Sequence, residues 1–126
     1  MRAILDTSVL LATDVAPLEG ELAISAASLA ELHLGVLVTS DEAVRAERLR
    51  RLTTFQSKFT ALPVDDAVAA SYGRLAAAIV APSRQPRSRA MDLLIAATAH
   101  AHAARLYTRN AADLTGIQHL VEIVSV

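Results

Sequence analysis

Short apolar runs alternate along this chain with segments of helical length, and no other feature limits the fold as tightly. Residues 3–5, 22–24, 60–64, 106–108 and 121–126 read as five strands, each bounded by polar or turn-forming residues. Helical patterns fill most of the intervals. One covers residues 8–13, and a second runs to Val38 from "SLAE" at 28–31, a capping-box pattern. Another such pattern, "TSDE" at 39–42, opens a longer helix carrying Val44, Leu49, Leu52 and Phe55. Asp65 and Asp66 cap a helix that passes through Tyr72, Leu75 and Ile79 toward Val80, and residues 91–104 form an alanine-rich helix. Strands and helices in this alternation predict an α/β fold, a parallel sheet covered on both faces. In such sheets ligands gather beyond the carboxyl ends of the strands.

Four acids fall where a solvated charge would be out of place. Asp6 lies in "AILDTSVLL", Glu31 in "SAASLAELHLGV", Asp92 in "SRAMDLLIAATA" and Asp113 in "LYTRNAADL". An ionised carboxylate beside apolar chain is costly unless something positive offsets it. The pattern therefore reads as a carboxylate pocket for a hard divalent cation, magnesium or manganese. Asp6 follows the first strand, Asn110 and Asp113 follow the fourth, and Glu31 and Asp92 stand near helix starts that can face the same crevice.

Each acid also has a plainer reading. Glu31 can complete the capping box begun by Ser28, Asp92 can answer the positive end of a helix, and Asp113 and Asn110 suit a polar turn. Asp6 is the hardest to explain away, because Ile4, Leu5, Val9 and Leu10 surround it. His33, His100, His102 and His119 lack acid or cysteine partners at metal-ligand spacing and read as structural, with His100 and His102 open to a place on a site rim.

Composition narrows the class further. With 126 residues, 53% of them apolar and 20% charged, the chain is expected to form a single domain spanning 1–126 with a real core. It has no cysteine, so disulfides and thiolate metal sites are excluded. No uncharged stretch reaches the roughly 18 residues a membrane helix needs, so a cytoplasmic protein away from any membrane is expected. A net charge of −1 gives no global attraction to nucleic acid, so phosphate contacts must be local. Of twelve basic residues only Lys58 is lysine, and arginines gather in "VRAERLRRL" and "APSRQPRSRA". Arginine suits bidentate phosphate contacts, though a GC-rich genome produces the same bias.

The order "LDTSVLL", "SLAELHLGV", an arginine-rich loop ending in "RAMDLLIAATA", then "LYTRNAADL" resembles the PIN-domain nucleases, specifically the VapC-type toxins of bacterial type II toxin–antitoxin pairs. The likeness covers nearly the whole chain. It implies a three-layer α/β/α sandwich around a central five-stranded parallel sheet. By position it implies Asp6, Glu31, Asp92 and Asp113 as catalytic and metal-holding acids, with Thr7, Ser8, Thr108 and Asn110 as supporting polar groups. The family usually has phenylalanine after the fourth acid, where this chain has Leu114.

The activity implied is Mg2+- or Mn2+-dependent hydrolysis of RNA, with transfer or ribosomal RNA as substrate and Arg84, Arg87, Arg89 and Arg109 on its backbone. Tyr72, Tyr107, Phe55 and Phe59 are the only aromatics, too few for a stacking platform, so RNA shape would carry selectivity. The resemblance further implies a VapB-type antitoxin, with a homodimer expected beside it. The helix faces around 32–38 and 49–55 offer apolar surface for such partners. Two alternatives stand against the toxin: a nuclease of the same fold in RNA or DNA processing, and a catalytically silent RNA-binding module. An aspartyl phosphatase wants a second aspartate two residues after Asp6, where Ser8 stands.

Overall fold

The computed structural model describes residues 1–79 and 89–126. Five strands form one sheet: β1 (Arg2–Leu5), β2 (Glu21–Ser25), β3 (Thr60–Leu62), β4 (Arg105–Thr108) and β5 (Ile123–Ser125). Their order is β3-β2-β1-β4-β5 and every pairing is parallel, with Ile4 opposite Ala23 on one side and Leu106 on the other. The chain builds outward from β1 through β2 and β3, then returns to lay β4 against the other edge of β1. This reversal makes the carboxyl ends of β1 and β4 the topological switch point, where a crevice opens.

The helices are α1 (Thr7–Leu11), α2 (Ala26–Val38), α3 (Glu42–Lys58), α4 (Asp66–Ile79) and α5 (Ala90–Ala101). Strand alternation sorts them into layers. Ile4 and Leu106 point to the side where Val68, Leu75 and Ile79 of α4 pack with Leu93 and Ile95 of α5. Ala3, Leu5 and Tyr107 point to the other side, against Val9 and Leu10 of α1, Leu32 and Val36 of α2 and Leu52 of α3. The architecture is thus the three-layer α/β/α sandwich expected. Buried residues occur all round α5, including Ala96, Ala97, Thr98 and Ala99, because α4, α2 and the sheet all touch it.

Two helix starts differ from the capping-box reading. Strand β2 runs straight into α2, whose cap is Ser25, accepting from Ala27 N at 3.1 Å. Ser25 is fully buried and meets Thr98 Oγ1 of α5 at 3.0 Å, so tertiary packing selects it over Ser28, which becomes an interior helix residue. Asp41, not Thr39, caps α3 by accepting from Val44 N at 3.0 Å. Asp65 caps α4 as expected, accepting from Val68 N at 3.0 Å.

Helix α5 stops at Ala101 rather than at 104. Ala103 turns into the left-handed region with φ of 50°, letting Ala104 N reach Ala99 O at 2.8 Å. Glycine is the usual residue at such a stop because it lacks the Cβ penalty. Ala103→Gly is therefore expected to stabilise the fold by about 0.5–1 kcal/mol, a gain of a few degrees in a thermal melt. A melt at or below the wild-type midpoint would contradict this account of the helix end.

Candidate functional site: an acidic crevice at the strand ends

Asp6 is held from three directions. As the cap of α1 it accepts from Val9 N through Oδ1 at 3.2 Å, and Ser8 Oγ donates to the same oxygen. Thr108 Oγ1, at the end of β4, donates to Oδ2. Neither hydroxyl can turn away freely, because each is itself engaged by a backbone amide. Arg109 N donates to Ser8 Oγ and Asn110 N to Thr108 Oγ1, both at 3.0 Å. An oxygen that accepts from an amide directs its own proton elsewhere, here to the carboxylate. The loop after β4 thereby fixes a side chain 102 positions earlier in sequence.

The remaining acids arrive from separate elements. Asp92, in the first turn of α5, and Asp113, in a 3-10 turn at Ala111–Leu114, line one small cavity with Asp6, Thr108 and Asn110. Asp92 is exposed at the crevice mouth, but partial desolvation there pushes it above the ordinary carboxylate range, and Glu31, Asp6 and Asp113 push it further, while Arg89 pulls the other way. Glu31, in the second turn of α2, is half-buried and accepts from Thr7 Oγ1 at 2.7 Å. It lines a neighbouring groove with Thr7, close enough for its charge to act on Asp92. Its distance from the α2 cap removes the capping-box explanation.

Ser28, read from sequence only as a cap, proves to be a buried neighbour of the site, 3.1 Å from Thr7 Oγ1. Nothing local signals that position. Arg89 donates to the Asp113 carbonyl, and its Nη1 stands 3.9 Å from Asp113 Oδ1. Arg109 turns outward and holds Asp14 through both terminal nitrogens, at 2.8 and 2.7 Å. Arg84 and Arg87 lie outside the described residues. His100 does not reach the rim: it sits in the last turn of α5, away from Asp92, with Nδ1 2.8 Å from Ser71 Oγ. His102 follows it, its carbonyl accepting from Arg2 beside the opposite end of the sheet.

Among the described residues, no three acidic or histidine side chains close into a preformed metal cage. The acids instead edge an open cavity alongside an amide and a hydroxyl, an all-oxygen donor set. Oxygen donors of this kind suit a hard divalent cation.

The strained charge on Asp92 has a stability consequence. A carboxyl raised in the folded chain is protonated there at pH values where the unfolded chain, near 3.8, has lost its proton. Stability therefore falls as pH rises from about 3.8 through the raised value, and remains lower at neutral pH. Asp92→Asn is expected to melt higher than wild type at pH 7 without metal, with the gap narrowing toward pH 4. Because Asp92 is partly solvated, the gain is under about 1 kcal/mol. Equal melts at pH 7 would remove the repulsion inferred here.

Comparison with known proteins places the chain in a family. The PIN domain family model matches residues 3–114. Ribonuclease VapC5 of Mycobacterium tuberculosis is 37% identical over 113 residues, covering 85% of this chain and 82% of that protein. The crystal structure of VapBC-5 from Mycobacterium tuberculosis, a member of the VapBC family of toxin–antitoxin systems, superposes with a TM-score of 0.84. It is 36% identical over 99% of this chain and 98% of the matched one. VapBC2 from Rickettsia felis, solved with a DNA fragment from its promoter, shares the fold at a TM-score of 0.72 and 22% identity, covering 99% and 98% of the two chains. With the PIN model spanning most of the sequence and a VapC ribonuclease related along most of both chains, this protein belongs to the PIN-domain family, in its VapC-type branch.

Proposed function

We propose that this chain is the toxic endoribonuclease of a toxin–antitoxin pair, hydrolysing phosphodiester bonds in structured cellular RNA, transfer or ribosomal, with Mg2+ or Mn2+ as cofactor. The observation that carries the reading is the fixing of Asp6 by Ser8 and Thr108 in a cavity shared with Asp92 and Asp113. A surface aspartate serving only as a cap would need one backbone partner, not two amide-anchored hydroxyls. The relationship to Ribonuclease VapC5 supports the choice of RNA.

Asp6, Asp92, Asp113 and Glu31 would hold the cation, with Asn110 adding an amide oxygen. When bound, the ion would activate a water and neutralise charge on the scissile phosphate. The other tasks fall to the chain. Ser8 and Thr108 keep Asp6 in one orientation, which lowers the reorganisation needed at the moment of reaction. Thr7 does the same for Glu31. A water oxygen bonds to phosphorus, a crevice carboxylate takes its proton, and one P–O ester bond breaks, the departing oxygen gaining a proton from solvent. Arg89, tethered beside Asp113, sits where it can hold a phosphate of the same strand. Arg109 would have to exchange Asp14 for a phosphate, an inexpensive trade for an exposed pair.

An antitoxin of the VapB type would restrain the enzyme. Its structural neighbour VapBC-5 is a member of a family of toxin–antitoxin systems, and the surface of this chain supplies apolar area for a partner. Leu34, Leu37 and Val38 of α2 and Leu49 of α3 are all more than half exposed, whereas Leu32, Val36 and Leu52 of the same helices are buried in the core. A homodimer is part of the same proposal. No helix among the described residues is long and apolar enough to cross a membrane, and action on RNA in the cytoplasm is in keeping with that.

Purified chain incubated with total bacterial RNA should yield discrete fragments in magnesium or manganese and none in EDTA, with cutting restored when magnesium is returned. RNA left intact in every metal, or cut equally well in EDTA, would overturn the reading.

A further inference from the structure

The cavity around Asp6 is too small to seat a nucleotide, but a groove of about 440 Å³ opens beside it between α2 and α3. Thr7, Glu31, Leu11, Gly35, Arg48 and Arg51 line it. Thr7 adjoins Asp6 in the chain and bonds Glu31, so groove and acid cavity share a wall.

The two arginines are fixed in place. Arg48 Nη1 donates to Gly35 O at 2.7 Å, and Arg51 Nη2 donates to the carbonyls of Leu10 and Leu11, both at 3.1 Å. These bonds use only some of the five N–H donors each guanidinium carries. Among the described residues neither has a carboxylate within ion-pair distance, whereas their neighbour Arg50 is paired with Glu47 at 2.5 Å. Arg48 and Arg51 are three residues apart on one helix, so they stand side by side on its surface. From there Arg48 reaches to α2 and Arg51 to α1, so the two charges flank the groove. Where Arg48 meets α2 the wall at Gly35 is bare backbone, and a Cβ added there would meet nothing within 4 Å. The groove is open and cationic on one side, with its end at the acids.

We propose that the RNA backbone runs through this groove, Arg48 and Arg51 holding phosphates on one side of the scissile bond while sugars pass over Leu11 and Gly35. The proposal rests on the nuclease reading and adds a substrate track to it. A peptide could also lie in the groove, but it would have to place paired carboxylates against the arginines, where a nucleic acid strand offers a phosphate at every step.

The test is binding of a fluorescently labelled RNA hairpin with a single-stranded loop, read by anisotropy in EDTA between 50 and 200 mM salt. Wild type is compared with Arg48→Gln, with Arg48→Gln/Arg51→Gln and with Gly35→Gln. Loss of one phosphate contact should lower the slope of log affinity against log salt by about 0.7, and loss of two by about 1.4. Arg48→Gln alone keeps the test independent of Arg51, which also ties α3 to α1. Gly35→Gln should weaken binding with the slope unchanged, since it fills space without removing charge. If wild type binds and every variant matches it, the groove assignment is overturned while the nuclease reading stands. If the variants keep RNA binding and lose only association with the antitoxin, the groove belongs to a protein and the proposal is wrong. Wild type that binds no RNA at all would sink the nuclease reading, and the track with it.

Discussion

Asp6→Asn is expected to cut RNA cleavage by about a thousandfold or more while leaving the fold in place. Both carboxylate oxygens accept hydroxyl protons, and an amide can accept at only one of them. If the asparagine oxygen keeps Ser8 and Val9 N, its NH2 faces the Thr108 hydroxyl, which holds Asn110 N on one lone pair and can accept on the other only by turning its own proton away. Either the hydroxyl turns in this way or the asparagine side chain rotates. In either case a negatively charged donor leaves the centre of the acid cavity. Stability should change little, since one lost hydrogen bond of about 1 kcal/mol is set against relief of repulsion with Asp92. The check is a cleavage time course beside a thermal melt. An unchanged rate with an intact fold would displace Asp6 from the mechanism.

Leu75→Ala should do the reverse, costing stability and sparing chemistry. Leu75 is fully buried where α4 packs on α5, among Val68, Ile79 and Leu93. Truncating it removes methyl groups from a close-packed layer and leaves a void, which costs about 2–5 kcal/mol. For a chain of this size that lowers the melting midpoint by roughly 10 °C or more. Well below that midpoint, cleavage per folded molecule should stay near wild type, because the residue touches none of the crevice acids. Chemical denaturation measures the first effect and initial rates at low temperature the second. A loss under about 1 kcal/mol would mean that the α4–α5 layer is looser than its burial indicates.

These two variants divide along the line between what was legible in the sequence and what was not. The strands could be read because a parallel sheet covered on both faces demands short, continuous apolar runs, and residues 3–5 and 106–108 are of that kind. Asp6 could be named because an acid between such runs is costly without a purpose; Asp92 and Asp113 prove to be exposed, so that cost does not single them out, and it was their position in the family resemblance that did. That three of them line one cavity follows from the switch point between β1 and β4, which the alternation of elements implied.

Other features depended on contacts between distant segments. Ser25 and Ser28 are equally good helix caps by local chemistry, and the choice fell to Ser25 because it is the one that meets Thr98 of α5. The end of α5 was misplaced for a similar reason: alanine is the best helix former, yet Ala103 leaves the helix so that β4 can begin beside β1. Glu31 was open to either a cap or the acid pocket by spacing, and the fold removed the cap by setting it in the second turn of α2 against Thr7. Arg48 and Arg51 belonged to a basic run with no assigned place, and Arg109, expected on RNA, was found holding Asp14.

The sequence by itself determined the class of fold and singled out Asp6, because hydrophobic period and a charge set between apolar runs are local properties of a chain. Only the tertiary structure decided which hydroxyls hold Asp6, which groove Glu31 faces and where the arginines point, because hydrogen bonds spanning 24 to 102 residues exist only once the sheet has brought their partners together.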